Sequence, residues 1–279
     1  MKVNVVHHAD AHIIPRMAKW LADYHGWSEG VDPDPSADVN FFLPYTAFRD
    51  VETKTAAWFT HYENARDDVT GKRHQWHMVA NKVDLRCITS PLYNNLGINY
   101  GPTRILTPGV DRDLFAPGNN KDMIKGRLGV VGIAQPRKGP NLVRIISELG
   151  YDVVSSSANW GVDFFKAWTE YEEMPSFYHS IEIMVCTSLV EGIPAPPLEA
   201  LACGTKVVVP DGVGIMDELP KMKGIRHYSA GDGNGMIDAI ELALKDKVDP
   251  FELRDASKKY TVEAWCLSAR DALKDLNND

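Results

Sequence analysis

The sequence predicts an α/β protein with two doubly wound domains, each built around a parallel β-sheet. Short apolar runs of strand length alternate along the chain with segments whose apolar residues recur at helical spacing, an order typical of parallel sheets covered by helices. Several of these runs end in polar loops. Near the middle of the 279-residue chain, the sequence PGNN at residues 117–120 is typical of a linker. We therefore predict one domain over residues 1–117 and a second over residues 121–260.

The first half opens with a strand, a polar loop and a helix. Residues 2–6 form a short apolar run, and apolar side chains recur at helical spacing over residues 13–24. His7 and His8 follow the first predicted strand, at its carboxyl end. Further strands are predicted at residues 39–43, 56–59 and 83–89. His61 stands just after the second of these strands.

The second half repeats the alternation of strands and helices. Strands are predicted at residues 128–133, 151–155, 181–185 and 206–209, and helices at residues 140–149, 198–203 and 236–244. Gly204 can supply the left-handed residue that ends the helix at 198–203. A last segment, residues 261–279, also carries apolar side chains suited to a packed helix.

Two acidic residues mark the strand–loop–helix unit at residues 181–209. Glu191 follows the carboxyl end of the strand, and Glu199 is predicted in the first turn of the helix, after Pro196 and Pro197. The N–H groups of a first helical turn have no intrahelical partner and attract anions. Because ligands of open α/β sheets collect beyond the carboxyl ends of the strands, this unit suits a ligand that has both hydroxyls and phosphates.

The string EGIPAPPLEALACGTKVV, residues 191–208, resembles the E-x7-E signature of retaining GT-B glycosyltransferases, the group 1 superfamily that includes glycogen synthases and many mannosyltransferases. ILTPGVDRDLF, residues 105–115, resembles the strand and loop that lead out of the first domain in this family. The resemblance implies two Rossmann-like domains facing across a cleft, with residues 261–279 packing back on the first domain. It also implies transfer of a sugar from a nucleoside-diphosphate sugar to an acceptor hydroxyl, with retention of anomeric configuration.

The resemblance also implies roles for the two acids and for the histidines. Glu199 would accept hydrogen bonds from the ribose hydroxyls, and Glu191 would face the transferred sugar as a catalytic residue. His61 would face the donor sugar from the first domain, as a second catalytic residue. His7 and His8 end a strand at the same cleft and are further candidates.

The donor diphosphate would be held by a basic loop and by backbone groups. The family pattern places an arginine where this chain has Ile133, and Arg137 is the expected substitute. Lys138 would neutralise the charge that develops on the leaving diphosphate, which makes it a catalytic residue as well. The remaining predicted donor-binding residues are Gly132, Gly192, Ile193 and Pro194.

Composition excludes several other classes. The formal net charge of −8 argues against broad nucleic-acid binding, although a modified nucleic acid remains open as an acceptor. No apolar run reaches the roughly 20 residues that a transmembrane helix needs. The cysteines are scattered, without a C-x-x-C pair, so we expect reduced thiols and a cytoplasmic protein. UDP and GDP both remain open as the nucleotide.

Two polar segments have weaker interpretations. Asp32-Pro33-Asp34 could hold a metal ion, but it lies in a proline-rich loop with no strand before it, and the resemblance implies neither a metal nor a cofactor. The segment at residues 70–77, TGKRHQWH, groups basic side chains that could contact an anionic acceptor or form a solvated polar loop or helix start. These basic side chains are Lys72, Arg73, His74 and His77.

Three other functions compete with sugar transfer. A nucleotide-sugar epimerase shares the GT-B fold and needs no acceptor, and a nucleotide-sugar-binding protein would have no catalysis at all. The isoleucine at position 133 supports the second of these. A nicotinamide dehydrogenase is disfavoured because no G-x-G-x-x-G follows a first strand.

Overall fold

The computed structural model describes residues 1–9, 13–62, 72–118, 122–164 and 170–277. The chain divides into two compact units, and the first is discontinuous. It consists of Met1–Gly109 together with Val262–Asp279, whereas the second is Val110–Thr261. The predicted fold class is confirmed, because each unit is an α/β structure around a parallel sheet.

The first unit is built on a sheet whose four central strands are buried. Its strands are β1 (Val3–His7), β2 (Ser28–Gly30), β3 (Val39–Leu43), β4 (Lys54–Phe59), β5 (Leu85–Ile88) and β6 (Thr103–Ile105). Its first three α-helices are α1 (Ile14–His25), α2 (Lys72–Ala80) and α3 (Asn94–Ile98). Among the described residues the strand order is β2-β1-β3-β4-β5-β6, and all pairs are parallel. Apolar side chains fill both faces of the sheet, as expected for parallel strands covered by helices.

The second unit follows the strand order of a nucleotide-binding fold. Its strands are β7 (Leu128–Val130), β8 (Val153–Ser155), β9 (Asp163–Phe164), β10 (Ile183–Val185), β11 (Lys206–Asp211) and β12 (Ile225–Ser229). Its α-helices are α4 (Pro140–Glu148), α5 (Met174–Ser180), α6 (Ala195–Ala202), α7 (Gly233–Lys245) and α8 (Pro250–Ala256). In the part of the unit that is described, the order is β12-β11-β10-β7-β8-β9. Numbered from β7, this is the 3-2-1-4-5-6 order of the Rossmann fold.

The first unit ends earlier than the sequence predicts. The linker was expected at residues 117–120, but Val110 already belongs to the second unit. Its N–H donates to the carbonyl oxygen of Tyr260, and the residue forms a parallel bridge with Thr261. Phe115 is fully buried in the core of the second unit. The composition of PGNN is typical of a linker, but Val110 and Phe115 before it already pack in the core of the second unit.

The last helix, α9 (Val262–Lys274), belongs to the first unit. It packs beside α1 and buries Trp265, Cys266 and Leu273 in the core beneath β1 and β3. His25 at the end of α1 hydrogen-bonds the backbone carbonyl of Cys266 at 2.7 Å.

The four cysteines of the chain are buried free thiols. Burial raises the pKa of Cys87 and of Cys266 to about 12, so these side chains stay protonated at neutral pH. Among the described helices, none has the length and apolar character needed to cross a membrane.

Candidate functional site

The loops after β7 and β10 meet at the switch point of the second sheet. These strands are neighbours, with Ile183 opposite Leu128 and Met184 opposite Gly129. From β7 the chain proceeds to β8 and β9 on one side, and it returns to β10 on the other. In folds of this order, ligands bind in the crevice beyond the carboxyl ends of the strands at such a switch point.

Three predicted site residues converge in this crevice. Nη1 of Arg137 lies 2.6 Å from Oε1 of Glu191, and Nζ of Lys138 forms an ion pair with the same oxygen. The Glu191 side chain is 8% exposed, and those of Lys138 and Arg137 are 15% and 24% exposed. Two cations of the first loop and one acid of the second loop therefore form a largely buried charge cluster.

Backbone contacts tie the two loops together and fix the cations. The N–H of Leu189 donates to the carbonyl of Arg137 at 2.7 Å, and Oγ1 of Thr187 donates to the carbonyl of Lys138 at 2.6 Å. Gly139, the N-cap of α4, has a φ of 64°, and an added Cβ would overlap the carbonyl oxygen of Thr187. The close approach of the loops therefore requires a glycine at this position.

Side chains that the sequence analysis did not identify also support the cluster. Oγ of Ser188 donates to Oε1 of Glu191 at 3.3 Å. The carbonyl oxygen of Gly132 accepts hydrogen bonds from Ser157 and from Nε1 of Trp160, the latter at 2.6 Å. A small cavity beside Lys138 is lined by Trp160 and Ser188, among others. No local pattern marks these residues, because their partners lie 3 to 28 positions away along the chain.

The start of α6 offers fewer N–H groups than expected. The helix begins at Ala195, with Pro194 as its N-cap and prolines at the next two positions after Ala195. Since proline has no N–H, Ala195 is the residue of this start whose N–H lacks an intrahelical partner. The N–H groups of Gly192 and Ile193 precede it in the loop. An added Cβ at Gly214 would overlap the carbonyl oxygen of Gly192, so this loop packs tightly against the turn after β11.

The position predicted for Glu199 is wrong by about one turn. Because α6 begins at Ala195 rather than 198, Glu199 is the fifth helical residue and lies beyond the first turn. Its side chain is buried, and Oε2 accepts a 2.6 Å hydrogen bond from the hydroxyl of Tyr178 in α5. Burial and the adjacent carboxylate raise the pKa of Tyr178 well above its usual value.

The predicted histidines all lie in the first unit. His7 is buried at the end of β1, with Nε2 2.6 Å from Oε2 of Glu29. His8 is exposed and contacts the hydroxyl of Thr46 at 3.0 Å. His61 follows β4 and is half-buried. His7 and His8 lie at the carboxyl end of β1, and His61 lies just beyond that of β4. The strand β3 lies between β1 and β4 in the sheet.

The basic segment predicted as a loop or helix start is largely helical. Residues 70 and 71 lie outside the described residues, and α2 begins at Lys72. His77 is engaged on both ring nitrogens, by the hydroxyls of Tyr62 at 2.8 Å and Tyr100 at 2.6 Å. Burial lowers the pKa of His77, and the neighbouring Arg73 and His74 lower it further. The imidazole of His77 is therefore held in place by two tyrosine hydroxyls.

The carboxylates of the Asp32-Pro33-Asp34 loop are engaged by other side chains. Asp32 forms an ion pair with Arg49. Asp34 forms an ion pair with Lys2 at 2.8 Å and accepts hydrogen bonds from Ser36. These hydrogen bonds, with the one from Lys2 foremost, lower the pKa of Asp34 to about 2. In the described part of the chain, no three His, Cys, Asp or Glu side chains form a group suited to a metal ion.

Residues 159–263 match the family described as glycosyl transferases group 1. The predicted resemblance to this family is confirmed. The matched glycosyltransferase segment contains Glu191 and Glu199, whereas Arg137 and Lys138 precede it. The ion pairs above therefore link the family segment to a part of the chain that the family match does not include.

Solved glycosyltransferase structures share the fold of the whole chain. Sucrose-phosphate synthase from Thermosynechococcus elongatus is 15% identical, and the match covers 95% of this chain and 79% of that one, with a TM-score of 0.69. Anabaena HepE in complex with UDP and glucose is 13% identical, with 98% and 99% of the two chains covered and a TM-score of 0.72. No curated protein matches the sequence significantly. These similarities show the GT-B fold.

Proposed function

We propose that this protein is a glycosyltransferase that moves a sugar from a nucleoside-diphosphate sugar to an acceptor hydroxyl. The observation that carries the proposal is the convergence of Arg137 and Lys138 on Glu191 at the switch point of the second sheet. The cluster joins two cations, of the side-chain types that suit phosphate, to the first acid of the family signature. UDP is the first nucleotide to test because the HepE structures contain it.

The chemistry requires neutralisation of a leaving diphosphate. Lys138 supplies a point charge, and the Arg137 guanidinium can donate two parallel hydrogen bonds to phosphate oxygens. The N–H groups of Gly192, Ile193 and Ala195 add neutral donors. Groups of this kind stabilise the charge that develops in the transition state without reorganising, which is their main contribution to rate.

The acids and His61 would orient the sugar and the ribose. Glu191 has one carboxylate oxygen engaged by the cations and would face the sugar as positive charge develops near C1. Glu199 would bind the ribose hydroxyls, and Tyr178 fixes its carboxylate. We assign His61 a sugar hydroxyl on the basis of the family resemblance. Retention of configuration and independence of a metal ion belong to the same proposal.

The direct test is sugar transfer from UDP-sugars, and then GDP-sugars, to a panel of hydroxyl acceptors. Lys138→Met and Arg137→Met should each lower kcat about 100-fold or more, the range found when one transition-state donor is removed. Arg144→Met is the matched control, because this exposed arginine of α4 pairs with Glu148 away from the cluster. The anomeric proton of the product reports retention, and EDTA should leave the rate unchanged.

The alternative functions give different results in the same assay. An epimerase would convert the sugar nucleotide without releasing UDP, whether or not an acceptor is present. A binding protein would be stabilised by UDP yet give no product with any acceptor. The first result would reject sugar transfer, and the second would favour a binding protein.

A further inference from the structure

The cluster at the switch point contains an anion that competes with the proposed substrate. Oε1 of Glu191 forms ion pairs with both Nη1 of Arg137 and Nζ of Lys138. The phosphates of a sugar nucleotide would need these same two cations. A donor phosphate and the Glu191 carboxylate therefore compete for one pair of positive groups.

The carboxylate of Glu191 attracts the two cations strongly, but it does not neutralise both of them. Among the described residues, the carboxylate of Glu191 pairs with two cations, so these three side chains together carry one excess positive charge. The side chain of Glu191 is 8% exposed, which limits the screening of its charge by water. Two neighbouring cations with low exposure also need an anion, because like charges destabilise each other when they are desolvated.

We propose that Glu191 acts as an internal counter-ion that holds Arg137 and Lys138 in place and yields them to the donor diphosphate. This inference rests on the proposed function and adds a step to it. Transfer of the cations from the carboxylate to the phosphate releases Glu191 to face the sugar. The carboxylate thus weakens binding of the diphosphate, and of the nucleotide product, while keeping the cations positioned.

The surrounding contacts suit such an exchange. The backbone carbonyls of Arg137 and Lys138 are fixed by Leu189 and Thr187. The main chain of the loop is therefore held independently of the charged side-chain tips. Ser188 also donates to Oε1 and would keep the carboxylate in place after the cations leave it.

The test is a double-mutant cycle on Glu191 and Lys138 with UDP as the probe. Glu191→Gln removes the competing charge and keeps the side-chain size, so UDP should bind about ten-fold more tightly, equivalent to about 1.4 kcal/mol. Lys138→Met leaves a neutral pair of Arg137 and Glu191, so UDP should bind about ten-fold more weakly. The double variant again has one positive charge in excess, and its affinity should return close to the wild-type value.

Two further probes separate this role from a purely structural one. Inorganic pyrophosphate should follow the same pattern as UDP, because it contacts the cations alone. Uridine lacks phosphate and should bind all variants alike. Calorimetry at constant ionic strength measures the three affinities, and thermal unfolding checks that each variant is folded. If Glu191→Gln does not fold, Glu191→Asp tests the same competition. Its shorter carboxylate should strengthen UDP binding, whereas Lys138→Met should weaken it.

The possible results are distinct. Tighter UDP and pyrophosphate binding by Glu191→Gln, with uridine unchanged, supports the counter-ion. Equal or weaker binding of UDP by a folded Glu191→Gln overturns the counter-ion and leaves the proposed function standing. If neither UDP nor pyrophosphate binds the wild type, both proposals fail.

Discussion

Individual acidic side chains of the second unit are buried beside specific hydrogen-bond donors. Glu199 accepts from Tyr178, Asp246 from Arg226, and Glu182 from Lys206. Burying an ionised carboxylate is costly unless it is paired and hydrogen-bonded. At the residue scale, stability of this unit therefore depends on single donor atoms, and some of these contacts also shape the proposed site.

The hydroxyl of Tyr178 should matter more than that of another buried tyrosine. Tyr178→Phe removes a donor to a carboxylate and should lower the free energy of unfolding by about 1.5–3 kcal/mol. Tyr228→Phe is the matched control, because its hydroxyl donates at 2.7 Å to the neutral carbonyl of Cys186 and should cost about 0.5–1.5 kcal/mol. Urea unfolding of both variants measures the difference, and equal losses would contradict the proposed importance of the Glu199 contact.

Asp246 should give an acid-dependent stability. Its side chain is 7% exposed, and burial is outweighed by hydrogen bonds from Arg226 and the N–H of Gly224, so its pKa is lowered from 3.8. A carboxyl group with a lowered pKa in the folded state stabilises the fold above pH 3.8, and this contribution is lost as the pH falls through the lowered value. Asp246→Asn should cost about 2 kcal/mol at pH 7.

The cost of Asp246→Asn should shrink when unfolding is measured at progressively lower pH below 4. Asp238→Asn serves as the control, because Asp238 is an exposed residue of α7, the helix that Asp246 caps. A cost that is the same at pH 7 and at the lowest accessible pH would show that the carboxylate charge contributes nothing.

At the element scale, the proposed site depends on two loops that hold each other. The loop from β7 to α4 carries Arg137 and Lys138, and the loop from β10 to α6 carries Glu191. Neither loop has regular hydrogen bonding along its whole length, so their mutual contacts define their conformations. Glycines at close approaches, such as Gly139, make these contacts possible.

Gly139→Ala should therefore damage both stability and the site. The left-handed backbone alone costs an alanine about 1–2 kcal/mol, and overlap with the Thr187 carbonyl oxygen adds to this loss. Gly150→Ala is the matched control, because its φ of 87° is also positive but no atom lies within 4 Å of an added Cβ.

Thermal unfolding should show a larger loss for Gly139→Ala than for Gly150→Ala, and UDP affinity should fall in the first variant alone. Equal stability losses with unchanged UDP binding would show that the loops adapt without cost.

Part of the fold and part of the site can be predicted from the sequence. Apolar runs and helical spacing locate β1, β3, β10 and β11 to within one or two residues, because burial on a parallel sheet leaves a local signature. The start of α6 is missed because the prolines before Leu198 belong to the helix rather than to the loop. Tyr178 is missed because its contact with Glu199 spans 21 residues.

At the scale of the whole molecule, one unit is a single segment of the chain and the other is made of two segments. The second unit is one continuous segment, Val110–Thr261, whereas the first unit needs α9 from the far end of the chain. Trp265 of α9 is 1% exposed in the core of the first unit. During synthesis, the first unit can therefore complete its core only after the chain of the second unit has been made.

Separate fragments should behave differently for this reason. A fragment of residues 110–261 should unfold cooperatively, because it retains its complete core. Residues 1–109 alone should not, because loss of α9 exposes the apolar side chains beneath it. Circular dichroism during heating checks both fragments, and addition of a peptide of residues 262–279 should restore structure to the first. Cooperative unfolding of residues 1–109 alone would contradict this account.

The sequence by itself determines the α/β alternation, the family resemblance and the position of Glu191 after a strand. These properties depend on neighbours within a few residues, where periodicity and motif spacing are visible. Only the tertiary structure decides that Arg137 and Lys138 share one oxygen of Glu191, that Tyr178 fixes Glu199, and that the first unit ends at Gly109. Each of these depends on packing between distant segments, which local pattern does not encode.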